Sequence, residues 1–77
     1  MTELLEVLVC ALVDNPDEVE IVDDGVRRDT LYLKVRVSPR DVGKVIGKHG
    51  KIANSIRTVV SHAAARQNLR AVVDITS

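Results

Sequence analysis

Residues 43–56 read GKVIGKHGKIANSI. The hydrophobic spacing on either side of Gly47–Gly50 suits helix, yet glycine inside a helix costs about 1 kcal/mol relative to alanine. Gly-Lys-His-Gly is therefore either an ordinary turn between two helices or the working end of the protein. The elements around it decide which.

Immediately upstream, Ser38-Pro39-Arg40-Asp41 reads as a helix start, with Ser at the N-cap, Pro at the first helical position and Asp close to a capping box. That helix reaches only to about Ile46. Downstream, Ile52, Ile56, Val59, Val60, Ala63 and Ala64 keep helical spacing over residues 51–67. Further upstream, TLYLKVRV (30–37) alternates, with Leu31, Leu33, Val35 and Val37 on one side and Tyr32, Lys34 and Arg36 on the other. EVEIV (18–22) alternates too, and DDG (23–25) between the runs predicts a hairpin turn. Residues 3–13 predict a first helix, with Thr2 as N-cap and an end at DNP, because Pro16 disfavours helical geometry at Asn15. Ala71, Val73 and Ile75 alternate in a closing strand.

The expected order is α-β-β-α-α-β over a single domain, residues 1–77: an α+β fold with a three-stranded mixed sheet and its helices on one face. The strands flanking the two later helices can pair in parallel across that crossover. The sheet face bearing Tyr32, Lys34 and Arg36 is then left open to water.

Length and composition bound the function. A chain of 77 residues buries only roughly 60–65% of its unfolded surface, so its stability margin is thin. The longest apolar run, Val7–Val13, is too short to span a bilayer, and Glu3 and Glu6 stand where a secretory leader would carry positive charge. A single cysteine, Cys10, excludes an internal disulfide framework and suits a reducing cytoplasm. The net charge is zero, but its distribution is not even. Residues 1–26 carry eight acids and no Lys or Arg, whereas residues 27–77 carry all eleven Lys and Arg against three acids. One half is therefore −8 and the other +8, an asymmetry that either draws the halves together or marks an anionic partner.

A G-x-x-G alone occurs by chance roughly 0.4 times in a chain this long. Its context carries the information. Gly47 stands at a helix C-terminus, where a left-handed residue is often needed, and Gly50 opens the next helix, whose free N–H groups and dipole favour an anion. Arg40, Lys44, Lys48, Lys51 and Arg57 face only Asp41 between positions 39 and 57, a local charge of +4. An anionic polymer fits.

Val45-Ile46-Gly47-Lys48-His49-Gly50-Lys51 resembles the VIGxxG core of the KH (K-homology) RNA-binding domain, and the element order resembles its type II form. The resemblance covers essentially the whole chain. SPRDVGKVIGKHGKIANSIRTVV is similar to small stand-alone bacterial KH proteins of the KhpA type. It implies that Gly47, Lys48, His49 and Gly50 clamp the backbone of about four nucleotides of single-stranded RNA. It also implies that Val45 and Ile46 floor an aliphatic groove, with the neighbouring helix and sheet edge as walls. Arg40, Lys44, Lys51, Ile52 and Arg57 complete the expected contact set. Ala53 stands where the resemblance would place a bulky aliphatic, with Ile52 one position earlier. RNA modules that rely on aromatic platforms fit poorly, since Tyr32 is the chain's one aromatic.

Other residues read more plainly. His49 lacks a carboxylate or nucleophile partner and is expected to be an exposed loop residue rather than a catalytic base. His62 is expected at the surface or an interface, and Cys10 in the core of the first helix. His49, His62 and Cys10 lack metal-ligand spacing, so neither metal, cofactor nor enzymatic activity is expected. VVSHAAARQ (59–67) has more small apolar positions than one buried stripe needs. Either that helix is deeply buried, the preferred reading, or Val59, Ala63 and their neighbours form a dimer surface. The resemblance implies self-association or pairing with a second KH-containing protein. The rival functional reading is a protein-interaction adaptor whose loop is vestigial.

Overall fold

The structure, a computed structural model, describes all residues from Met1 to Ser77. In chain order the elements are helix α1 (Thr2–Cys10), strands β1 (Glu20–Arg27) and β2 (Thr30–Arg36), helices α2 (Val42–Ile46) and α3 (Lys51–Ala65), and strand β3 (Arg70–Thr76). Single 3₁₀ turns occupy Pro16–Glu18 and Lys48–Gly50. The sheet order is β1-β2-β3, with β1 antiparallel and β3 parallel to the central β2. The expected α-β-β-α-α-β order and mixed sheet are both present.

Alternation in β2 sets the layering. Leu31, Leu33, Val35 and, just beyond the strand, Val37 are buried, while Lys34 and Arg36 are exposed. With Val73 from β3 they pack against Leu5 and Val9 of α1, Val45 of α2, and Ile56 and Val60 of α3. Burying each such branched side chain contributes about 1.5–3 kcal/mol relative to leaving it exposed. No helix covers the opposite face of the sheet, so Lys34, Arg36 and Val72 remain exposed there.

Several boundaries differ from the sequence expectations, each for a local reason. Helix α1 ends at Cys10, well before Pro16, and Met1 rather than Thr2 is its N-cap, without a side-chain capping bond. Cys10 is only half-buried; Leu5 and Val9 are the core residues of α1. DDG is not the hairpin turn. The strand runs through it as a bulge, with the register shifting between Asp23 and Val26. There Gly25 takes φ +88° and donates its N–H to Asp23 Oδ1 at 2.8 Å. The turn itself is Arg28-Asp29, two residues with φ of +51° and +60°. Positive φ at both central positions is the geometry of a type I′ hairpin, whose twist matches the strands.

Helix α2 begins after Asp41, not after Ser38. Ser38 instead organises the preceding turn, its Oγ accepting from the Arg40 N–H at 3.3 Å and its carbonyl from the Asp41 N–H at 2.8 Å. Helix α3 ends where Asn68 adopts φ +59° and the Leu69 N–H returns to the Ala64 carbonyl at 3.0 Å. A left-handed Asn after the last turn closes helices in this way. Nor is α3 deeply buried: one stripe, Ala53, Ile56, Val60 and Ala64, faces the core, and Val59 is 45% exposed on another face.

Candidate nucleic-acid interface

The loop joining α2 to α3 owes its shape to two glycines with different tasks. Gly47 has φ +76° and ψ 174°, a region essentially reserved for glycine, and not the left-handed helical geometry expected at a helix end. Its N–H donates to the Gly43 carbonyl at 2.9 Å, closing α2. A Cβ here would lie 2.6 Å from Ile52 Cγ1 and 2.9 Å from Ile52 Cδ1, because Ile52 folds back over the loop. Gly50 is left-handed (φ +73°, ψ 13°), and a Cβ there would meet nothing closer than Asn54 Nδ2 at 3.9 Å. Gly47 is thus required by packing as well as conformation, Gly50 by conformation alone. His49, between them, is also left-handed at φ +57°, ψ 25°.

The consequence is a tight projection. Lys48 and His49 are exposed at its tip, and Lys51, also exposed, opens the 15-residue helix α3. No side chain caps that helix. The first N–H groups of a helix lack intrahelical acceptors, so the positive end of α3 lies beside the loop.

The other expected contact residues fall into three groups. Arg40, Lys48 and Lys51 are exposed and pair with no carboxylate. Lys44 is committed elsewhere: its ammonium pairs with Asp14 and lies 3.8 Å from Asp41 Oδ1. Arg57 is half-buried, its Nε donating to the Val73 carbonyl on β3 at 3.2 Å and a terminal nitrogen to Asn54 Oδ1 at 3.4 Å. Val45 is fully buried in the core, so it supports a groove from behind and does not floor one. Ile46 is half-buried. Ile52 reaches an apolar groove of about 450 Å³ between α1 and α3, lined also by Val7, Leu8, Leu12, Ile56 and Val59. Ala53 is buried and leaves surface contact to Ile52.

Asp41, which sequence reading treated as a capping residue, holds the site together. Its side chain is completely buried, and its carboxylate accepts from the Asn15 N–H at 3.0 Å, Asn15 Nδ2 at 3.1 Å and the Asp14 N–H at 3.3 Å. The α1–β1 connection is thereby fastened to the start of α2. Nothing local signals this, since the partners lie 26 and 27 residues away.

A short helix, a glycine-shaped loop with two exposed polar residues at its tip, and a long helix over a three-stranded mixed sheet make a type II KH arrangement. Comparison with known proteins agrees. A family model described as KhpA/KhpB, KH domain, matches residues 2–75. This chain belongs to that family. The relative from Clostridium perfringens is 47% identical over 75 residues, spanning 97% of this chain and 99% of its own length. The relative from Clostridium acetobutylicum is 48% identical with the same coverage, and that from Streptomyces coelicolor 44% identical, covering 97% of this chain and 94% of itself. Each is named RNA-binding protein KhpA. No solved structure matches the chain. The KhpA/KhpB family is non-enzymatic.

Proposed function

We propose that this KhpA/KhpB-family chain binds single-stranded RNA, with the Gly47-Lys48-His49-Gly50 loop gripping the sugar-phosphate backbone. The observation that carries this reading is the loop's construction. Two glycines hold backbone conformations that expose Lys48 and His49 at the N-terminus of α3, beside the unpaired cation Lys51, with unpaired Arg40 ahead of α2. Phosphate gains there both from oriented N–H groups and from positive charge. Ile46 and Ile52 supply the apolar contacts nearest the loop, and Arg57 links α3 to the β3 edge.

One domain with few phosphate contacts binds modestly and with a shallow salt dependence. A second copy, or a second KH protein, adds another site at high effective concentration. The α1–α3 groove is where such a partner docks in this reading, since Val7 is 68% and Val59 45% exposed along it. In this reading the protein acts as an RNA-binding regulator or chaperone in the bacterial cytoplasm, a role suited to a lone unpaired cysteine. The same groove favours the second reading, an adaptor with vestigial RNA binding.

The test is Lys48→Asp with His49→Asp, which places two acids at the clamp and keeps both glycines. We expect the folded variant to lose binding to a mixed-sequence short single-stranded RNA. Unchanged affinity removes the mechanism, and association with a partner in the absence of any RNA affinity supports the adaptor. Amide NMR shifts on RNA addition should centre on residues 40–57; shifts confined elsewhere displace the site.

A further inference from the structure

The end of the domain farthest from the loop carries a second basic surface that the clamp does not use. Helix α3 runs roughly 22 Å from Lys51 to Ala65, and β3 returns alongside it, so Arg70 begins β3 at the distal end. There Arg70 is paired in register with Thr30, and Thr30 with Arg27, while the hairpin turn sets Arg28 beside them. The open sheet face at this end therefore presents Arg27, Tyr32, Val72 and Arg70, with Arg28 at the rim. No carboxylate pairs with Arg27, Arg28 or Arg70; Asp24 pairs instead with Lys34 at 3.6 Å. Asp29, in the turn, Asp23, opposite Leu33, and Asp74, opposite Lys34, are the remaining acids nearby.

Structural explanations cover this cluster only in part. Arg66, also at this end, suits the negative C-terminus of α3. Arg28 has no such account. It occupies a left-handed turn position at φ +51°, where Asn or Gly is the favoured choice, and its guanidinium bonds to nothing. The Arg70 side chain is likewise without a partner, although its N–H donates to the Asp29 carbonyl at 2.8 Å. The Arg27 guanidinium lies over the chain's single aromatic ring, its Cζ 4.2 Å from the Tyr32 centroid, and donates to the Asp24 carbonyl at 3.0 Å. Exposed Val72 stands beside Tyr32 in register.

We infer that this end is a second contact surface for the same strand, taking a base on the Arg27–Tyr32–Val72 strip and phosphates on Arg28 and Arg70. Unstacked bases lie on aromatic rings and on guanidinium planes, and the arginine fork matches phosphate oxygens. An acidic peptide would use the charges but not the flat strip. The inference rests on this chain binding single-stranded RNA, as proposed for the loop. It extends that site from about four nucleotides to a strand long enough to span the domain.

The experiment compares a mixed-sequence RNA 4-mer and 12-mer by fluorescence anisotropy across a salt series. The proteins are wild type, Arg28→Ser/Arg70→Ser, and Lys48→Asp/His49→Asp. Both arginines are exposed and their side chains unpartnered, so the fold should survive; circular dichroism verifies it. For the arginine variant we expect unchanged 4-mer binding and a 12-mer salt slope shallower by about 1.4, the value for two phosphate contacts on a single strand. An unchanged 12-mer slope and affinity overturns the proposal. Equal loss for both oligomers overturns it too, because the effect is then general field and not a distal contact. If the loop variant keeps full binding while the arginine variant loses 12-mer affinity, the loop reading falls and this surface stands. Absence of binding by wild type overturns both.

Discussion

Gly47→Ala is the substitution on which the loop's construction stands or falls. The added methyl group would sit 2.6 Å from Ile52 Cγ1 and 2.9 Å from both Ile52 Cβ and Cδ1, distances that real side chains do not tolerate. Overpacking of this kind costs about 1–3 kcal/mol. The backbone at φ +76°, ψ 174° costs a non-glycine residue about another 1–3 kcal/mol. The sum, about 4 kcal/mol at mid-range, compares with roughly 4–12 kcal/mol of total stability for 77 residues at usual per-residue values. Gly50→Ala is the internal control, since it faces only the left-handed conformational cost of about 1–2 kcal/mol with no steric neighbour within 3.9 Å. Urea unfolding of both variants measures the difference. A cycle with Ile52→Ala, which removes two of the three clashing atoms, should return at least about 1 kcal/mol as coupling. Equal losses for Gly47→Ala and Gly50→Ala, or additivity within about 0.5 kcal/mol in the cycle, would refute the assignment of Gly47 to Ile52 packing.

Asp41→Ala should cost about 2–4 kcal/mol in urea unfolding, because it leaves the Asp14 and Asn15 donors without their acceptor. A loss below about 1 kcal/mol would mean that water replaces the carboxylate. Lys51→Ala should flatten the RNA salt slope by about 0.7, whereas Lys44→Ala should leave it nearly unchanged because acids already hold that ammonium. Similar slopes for the two variants would contradict the division between free and committed cations. Replacing Arg28-Asp29 by Asn-Gly should raise stability by about 1 kcal/mol, roughly 4–8 °C in Tm, by relieving two left-handed positions. Val59→Asp places charge in the α1–α3 groove; light scattering across concentration should show any self-association lost while the monomer stays folded.

Much of the fold was legible because it is written in short-range patterns. Alternation over residues 30–37 identifies the central strand and its buried face, since side chains in a strand point to opposite sides in turn. The two glycines and the spacing around them mark a break between helices. What the patterns could not place was the hairpin turn. DDG has turn composition, yet the pairing of Arg27 with Thr30 and the bulge at Gly25 move the reversal to Arg28-Asp29. Ile21, the one apolar side chain of β1 that packs on the core, sits opposite buried Val35 in this register, and the local turn preference yields to that pairing. The contact set around the loop shows the same limit. Val45 and Ile46 are neighbours in one apolar pair, and only the packing of α2 on the core decides that Val45 is sealed while Ile46 is half-open.

Sequence alone therefore determined the element order, the inward face of β2, the helix–loop–helix around Gly47–Gly50 and the concentration of positive charge there. Each depends on residues within a few positions of one another, where conformational preference and side-chain period act directly. Tertiary structure alone decided which charges remain available. Asp14, thirty residues away in sequence, pairs with Lys44 beside nearby Asp41, Val73 takes one donor of Arg57, and Arg40, Lys48 and Lys51 stay unpaired. It also decided that Asp41 is buried and that four arginines gather at the end opposite the loop. An ion pair or hydrogen bond reaches only a few ångströms, so its partners are set by which distant segments the core brings together.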